Sequence, residues 1–292
     1  MASNKGMRIG IHTSTAGSLE RSAIKAHSLG ANCFQIFSAS PRMWRAGTPD
    51  PAQVALLQRA RERYDLQPLV IHAGYLINLA SLDPVIRAKS IDAFAGELAR
   101  AEIIGAEYLV VHPGNAKGHA REEAIAACVL AIKDAAEFAC PRRVTILLEN
   151  TVGAGGQLGG KLEELASIRD LAGQLVEVPV GYCLDTCHLL AAGFEIRRRA
   201  ALDATLRHVE VTLGLAHVHV FHANDSKTPL GSHVDRHENI GAGHIGEAGF
   251  RTLLTHPQLK SKPFILETPV DEEGDDRRNV ERLQRLAGMR RA

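Results

Sequence analysis

Short apolar runs and longer segments of helical period alternate eight times along this 292-residue chain, and nothing else in it limits the possible folds so narrowly. The runs are Met7–His12, Asn32–Ser38, Pro68–Ala73, Tyr108–Pro113, Thr145–Asn150, Val180–Asp185, His217–His222 and Phe264–Pro269. Val, Ile, Leu or Phe fill consecutive positions in each, which suits a parallel strand covered on both faces. Between them the spacing predicts helices over Leu19–Leu29, Pro51–Tyr64, Pro84–Ile104, Arg121–Phe138, Leu162–Leu175, Arg199–Leu213, Ala248–Thr255 and Asp276–Gly288. Pro51 and Pro84 stand at helix starts, where a missing N–H costs little. Gly30 and Gly105 fall where the chain must reverse after a helix. No linker interrupts the series, so we expect an α/β fold: one (β/α)8 TIM barrel forming a single domain over 1–292.

Formal net charge is +1, so nothing global marks a partner of opposite sign, and a polyanion would need a local patch or bound cations. The five cysteines, Cys33, Cys128, Cys140, Cys183 and Cys187, are odd in number and show no disulfide framework, which favours a reducing compartment. The opening Met1-Ala-Ser-Asn-Lys-Gly lacks an apolar signal region, and no apolar run approaches the ~20 residues of a membrane span. A soluble, cytoplasmic protein without a membrane partner is expected.

The polar residues fall at one place in each repeat. The strands end in His12, Ser38, His72, His112, Glu149, Asp185, His222 and Glu267. A parallel barrel brings the C-terminal ends of all its strands to one face. A single polar residue at a strand end is usually a turn or cap residue. Seven metal-capable side chains at eight strand ends are not explained that way. After the seventh strand, Asp235 and His237 stand two apart, so in an extended segment they point the same way and can close on one ion.

Nine residues are therefore candidate ligands: His72, His112, Glu149, Asp185, His188, His222, Asp235, His237 and Glu267. Nine donors exceed one four-coordinate zinc but suit three ions if a carboxylate bridges two of them. Three divalent ions bring six positive charges against the four carboxylates Glu149, Asp185, Asp235 and Glu267, leaving two in excess. Such a rim attracts an anion, and phosphate is the obvious one. Zinc-bound water ionises at a pKa of roughly 7, so phosphoester hydrolysis fits. Cys183 and Cys187 flank Asp185 but are read as non-ligands, because oxygen and imidazole donors already suffice.

Three long motifs carry a resemblance. They are His72-Ala-Gly-Tyr-Leu-Ile-Asn-Leu-Ala80, Gly181-Tyr-Cys-Leu-Asp-Thr-Cys-His188 and the segment from His222-Ala-Asn-Asp-Ser-Lys227 through Gly231-Ser-His-Val-Asp-Arg-His-Glu-Asn-Ile-Gly241. With Leu147-Leu-Glu-Asn-Thr151 and Phe264-Ile-Leu-Glu-Thr268, the chain resembles the endonuclease IV family of apurinic/apyrimidinic endonucleases from Ile9 to about Pro269. That resemblance implies a xylose-isomerase-like barrel with three zinc ions that cuts duplex DNA on the 5′ side of an abasic site. The products would be a 3′-hydroxyl and a 5′-deoxyribose phosphate, and blocked 3′ ends are a further substrate. It implies that His72 and His112 hold one zinc, bridged by Glu149, the central catalytic ligand, to a second. Asp185, His222 and Glu267 would complete the second, and His188, Asp235 and His237 would hold the third. Manganese can share the oxygen-rich positions.

By the same resemblance Arg42, Tyr75 and Leu76 would enter the duplex at the lesion, with Trp44 bracing their loop. An abasic gap lacks a stacked base, and planar or apolar side chains can fill it. The bland reading for Tyr75 and Leu76 is packing under the barrel mouth. Met43 and Gly17-Ser18 depart from the family's usual residues, Ala73-Gly74 stand where family members vary, and none is a ligand. His27, His119, His208 and His256 are read as surface or helix-face residues. His217 and His219 alternate with Val218 and Val220, on the side of their strand opposite His222, and are read as structural. His12 is read as a partner of ligands, and His233 and His244 as candidates for contact with the DNA backbone. Arg197-Arg-Arg199 is read as a solvated helix start. The competing enzyme is a metal-dependent sugar isomerase or epimerase of the same barrel class, which would not require His188, Asp235 and His237. A non-catalytic lesion sensor would tolerate loss of ligands, and none is lost. A monomer is the plain expectation.

Overall fold

A computed structural model describes residues 6–289, and the opening residues read above as lacking a signal region lie, up to Lys5, outside that range. In chain order the elements are β1 (Ile9–His12), α1 (Leu19–Ser28), β2 (Cys33–Phe37), α2 (Pro51–Tyr64), β3 (Leu69–His72), α3 (Pro84–Ile104) and β4 (Tyr108–Val111). Next come α4 (Arg121–Ala139), β5 (Thr145–Glu149), α5 (Leu162–Ala172), β6 (Val180–Asp185), α6 (Thr186–Ala191) and α7 (Arg199–Thr212). The chain ends with β7 (Val218–His222), β8 (Asp225–Ser226), β9 (His237–Glu238), α8 (Gly246–Leu254), β10 (Phe264–Leu266) and α9 (Asp275–Leu286). Strands β1 to β7 and β10 close a parallel barrel in the order β1-β10-β7-β6-β5-β4-β3-β2. Two elements were not foreseen: the short α6, and an antiparallel ribbon of β8 and β9. The expected strands are present, β6 with the bounds expected and the others shorter, so Ser38, His112 and Glu267 stand one residue past their strand ends.

Local chemistry sets the helix starts. Asp50 and Asp83 accept backbone N–H groups at the heads of α2 and α3, each followed by proline. The helices bury their apolar faces on the outside of the barrel, in a core that includes Ile9, Phe34, Leu69, Leu148 and Leu184. Among the described residues, no helix is long and apolar enough to cross a membrane.

Strand pleat decides what fills the barrel. Cys33, Val70, Val110, Leu147, Cys183, Val220 and Ile265 form one closed inner layer. Residues two further on face the same way, and they are Gln35, His72, His112, Glu149, Asp185, His222 and Glu267. An apolar floor thus carries a polar ring at the C-terminal mouth. Leu147 is fully buried in that floor, and its truncation to Ala would cost about 2–5 kcal/mol. Gly10 is required beside it, because a Cβ there would stand 2.6 Å from both the carbonyl oxygen and Sγ of Cys33.

One parity expectation fails. The register between β6 and β7 slips at Tyr182/Cys183, so the strand bulges at His219. His219 therefore turns toward the lower barrel, stacking on Tyr108 at 5.3 Å, instead of facing outward opposite His222. His256 is also misplaced by the sequence reading: it is buried, with Nε2 2.9 Å from Asp203 Oδ1. Its helical neighbours conceal that, because the burial comes from α7, distant in sequence.

Candidate metal centre

All nine candidate donors meet at the mouth of the barrel. They line or underlie an open cleft of about 610 Å3 whose wall includes His12, His72, Tyr75, His112, Glu149 and Glu267. One set joins His72, His112 and Glu149; a second joins Glu149, Asp185, His222 and Glu267; in each, the donor atoms lie within 4.8 Å of one another. Glu149 belongs to both. Its Oε2 lies 3.1 Å from His72 Nε2 and 3.5 Å from His112 Nε2, while its Oε1 lies 3.0 Å from His222 Nδ1.

The third set differs in detail from expectation. Asp185, His188 and His237 form the compact group, and Asp235 reaches the two histidines through different oxygens, at 3.3 Å and 3.4 Å. Asp185 also caps α6, accepting the His188 N–H at 2.8 Å through Oδ1. That cap explains the Asp-Thr-Cys-His spacing, since it seats His188 in the first helical turn beside its own carboxylate. Ser226 pairs with His237 in the ribbon of β8 and β9, which turns Asp235 and His237 back toward the barrel. Buried Asp225 anchors that loop by accepting backbone N–H groups from Ser226, Gly241, Gly243 and Ile245. Cys187 lies within 4.8 Å of Asp235 and His237 donor atoms, closer than its reading as a non-ligand implied. Burial pushes its thiol up to about 12, so it is protonated at neutral pH and presents no thiolate.

Imidazole orientation reveals what the site wants. His72 Nδ1 donates to Ala73 O at 2.8 Å, His188 Nδ1 to Asn150 O at 2.9 Å and His237 Nδ1 to Glu267 O at 3.1 Å. A carbonyl oxygen can only accept, so each ring keeps its neutral-state proton there and aims the other nitrogen at carboxylates. In their neutral form these rings turn lone pairs toward carboxylate lone pairs, a conflict that a second ring proton or a cation removes. Glu149 and Glu267 bring charges within 4.8 Å of each other, a repulsion of roughly 3–4 kcal/mol at an effective dielectric near 20. Cations between the donors remove both conflicts, and ligating histidines commonly anchor their second nitrogen this way. Buried His237 Nε2, the nitrogen that faces Asp185 and Asp235, has no hydrogen-bond partner, which also fits a metal donor.

Electrostatics agree. Burial would raise the Glu149 carboxyl, yet His112, His222 and, when their rings carry a second proton, hydrogen bonds from His188 and His222 hold it well below its ordinary value. Glu267 is held at about 2 because His222 and His72 outweigh its burial. Conversely, burial would lower His188, but Asp185, Asp235 and Glu149 raise it well above the usual imidazole range. The site keeps Glu149, Asp235 and Glu267 ionised and favours positive charge among them.

The family-model match covers residues 24–287 and describes a xylose isomerase-like TIM barrel. The probable endonuclease 4 of Solibacter usitatus (strain Ellin6076) is 66% identical over 284 residues, covering 97% of this chain and 98% of that protein. The crystal structure of endonuclease IV from Thermus thermophilus superposes with a TM-score of 0.83 at 37% identity, covering 96% of this chain and 99% of that one. The chain belongs to the endonuclease IV family. D-Psicose 3-epimerase from Clostridium cellulolyticum H10 also superposes, with a TM-score of 0.62 at 16% identity over 96% of each chain, a likeness of fold alone.

Of the residues that the family resemblance assigns to DNA, Tyr75 lines the cleft. Tyr75 is 65% exposed and Leu76 is 36% exposed, so neither packs beneath the mouth. The Tyr75 ring stands edge-on to Phe37 at 5.3 Å, and its N–H donates to Pro41 O at 3.0 Å. That bond ties the Tyr75 turn to the loop carrying Arg42. Arg42 is exposed, and Trp44 is half-buried with Lys89 Nζ 5.8 Å over its ring. Gly74 lets the two loops approach closely, since a Cβ there would lie 3.1 Å from Pro41 O, a tight contact. His233 donates to Val152 O at 2.7 Å, and His244 is exposed.

Four polar partners escaped the sequence reading. Asn150 Oδ1 accepts the Asp185 N–H at 2.7 Å, Asn224 Nδ2 donates to Asp185 Oδ2 at 2.6 Å, and Thr186 Oγ1 donates to Asn224 O at 2.7 Å. The fourth is Gln35, a fully buried amide in the apolar strand Cys33-Phe-Gln-Ile-Phe37. Counting two residues on from the floor layer, as for the ligands, would have found it.

Proposed function

We propose that this chain is a DNA repair endonuclease that hydrolyses the phosphodiester 5′ to abasic sites in duplex DNA, leaving 3′-hydroxyl and 5′-deoxyribose phosphate ends. The reading includes removal of blocked 3′ ends, three zinc ions as cofactor with manganese able to share oxygen-rich positions, and action as a cytoplasmic monomer. The observation that carries it is the set of histidines whose anchored protons turn their free nitrogens onto a shared carboxylate cluster, beneath a rim of exposed planar and apolar side chains. Membership of a family whose relatives are named endonuclease 4 supports it further.

Bound zinc would supply Lewis acidity toward a phosphoryl oxygen and lower the pKa of a water to roughly 7. His72, His112 and Glu149 would hold one ion. Glu149, Asp185, His222 and Glu267 would hold the second, and His188, Asp235 and His237 the third, with Asp185 close enough to share it. Glu149 stays ionised and uses one oxygen toward each of two sets, so it fixes their separation. Tyr75 and Leu76 fill the space of the missing base, and Arg42 adds a planar cation on the same junction. The anchored imidazoles need not reorient during the reaction, which lowers its cost.

The sugar epimerase reading accounts for Glu149, Asp185, His222 and Glu267 but leaves His188, Asp235, His237 and the Arg42 loop without a task. One experiment tests the proposal: incision of a duplex oligonucleotide carrying one stable abasic analogue, with metal measured on the same sample. Cleavage on the 5′ side with roughly three zinc equivalents is expected. Metal-loaded protein that leaves the lesion-bearing duplex uncut sinks it.

A further inference from the structure

Gln35 belongs to the ring of the nine donors without being one of them. It is fully buried, and both ends of its amide are engaged. Nε2 donates to Glu267 Oε1 and, at 3.1 Å, to His12 Nδ1, while Oε1 accepts from His222 Nε2 at 2.8 Å. The orientation of this amide follows from chemistry. An ionised carboxylate accepts and cannot donate, so the NH2 end must face Glu267 and the oxygen must face His222. His222 therefore carries its proton on Nε2. In the neutral ring its other nitrogen, Nδ1, is then the lone-pair side, 3.0 Å from Glu149 Oε1 and 3.2 Å from Glu267 Oε2.

One side chain thus addresses two donors of the same four-membered set. The other anchored histidines use carbonyl oxygens, which accept at any approach angle over a broad range. A planar amide held at both ends fixes the plane of the ring and the plane of the carboxylate together. We propose that Gln35 is a positioning residue of the metal centre: it selects the His222 tautomer and orients Glu267, preparing the Glu149, Asp185, His222 and Glu267 set for one divalent cation. The proposal rests on the metal-dependent reading above and deepens it.

Gln35→Met keeps the unbranched shape and most of the volume while removing both hydrogen-bonding functions. The measurement is zinc competition against a chromophoric chelator on the folded chain, with near-ultraviolet dichroism as the control for folding. One zinc equivalent is expected to weaken by 10–100-fold, with the remaining equivalents unchanged, and kcat on an abasic duplex to fall while KM holds. The zinc-loaded native chain gives a second readout that needs no variant. Imidazole nitrogen NMR should show His222 protonated at Nε2 and unprotonated at Nδ1. A folded Gln35→Met chain that binds every zinc as tightly as the native one overturns the proposal, and so does a native His222 protonated at Nδ1. A native chain that binds no zinc overturns the metal reading and this proposal with it.

Discussion

His222 Nδ1 stands 3.0 Å from Glu149 Oε1, across a barrel in which the two residues occupy non-adjacent strands. The other Glu149 oxygen serves His72 and His112, so the carboxylate joins two donor sets. Glu149→Gln replaces one charged oxygen with an amide that cannot ligate through nitrogen. Incision should fall by at least about a thousandfold, with the far-ultraviolet dichroism of the barrel unchanged. Turnover near the native rate would remove Glu149 from the centre of the mechanism.

Tyr75 offers an exposed ring beside the cleft, braced edge-on by Phe37. Stacking contacts of this kind are worth about 1–3 kcal/mol, so Tyr75→Ala should weaken incision by roughly five- to hundredfold while bound zinc stays constant. Metal analysis alongside kinetics separates the two roles. Equal loss of zinc would assign Tyr75 to the scaffold.

Gly74 holds the Tyr75 turn against the Arg42 loop through the bond from Tyr75 N–H to Pro41 O. A Cβ at 74 would stand 3.1 Å from the Pro41 carbonyl oxygen. Gly74→Val is expected to part the two loops, raising KM for abasic duplex several-fold with zinc content preserved. An unchanged KM would mean that the junction does not set lesion recognition.

Metal removal should destabilise the protein as well as silence it. Without cations the carboxylates of Glu149, Asp185 and Glu267 repel at close range, and any ligand bound only by the folded state adds stability by mass action. Prolonged treatment with a strong chelator should lower the melting temperature and abolish incision, and added zinc should restore both. An apo chain that melts with the holo chain contradicts this.

Away from the cleft, Glu195 is held at about 2, chiefly by its hydrogen bonds from the Arg197 side chain. A depressed carboxyl contributes stability above its unfolded pKa, near 4.3, and loses it as pH falls through the folded value. The native chain should therefore exceed Glu195→Gln in urea midpoint at pH 7. The gap should narrow between pH 4 and pH 2, and a gap independent of pH would show that the pair contributes through packing instead.

Much of this architecture was legible in the residues because it depends on short-range rules. Pro51 and Pro84 marked helix starts, and consecutive apolar residues marked strands buried on both faces. The floor layer and the polar ring follow from the two-residue pleat alone. His219 and His256 escaped for one reason: each is placed by a distant partner, a slipped register against β6 for one and Asp203 on α7 for the other. The same pleat places Gln35 two residues past Cys33 in that ring, but the partners that give its amide a task are visible only once the barrel closes.

By itself, the order of residues determined which side chains reach the barrel mouth, since periodicity and strand polarity are local properties of a chain. Only the closed tertiary structure decided how they face one another there. Carbonyls at the ends of three strands set the free nitrogen of His72, His188 and His237, and an amide on a fourth strand sets that of His222. Hydrogen-bond direction is a relation between groups brought together by closure, and no single segment contains it.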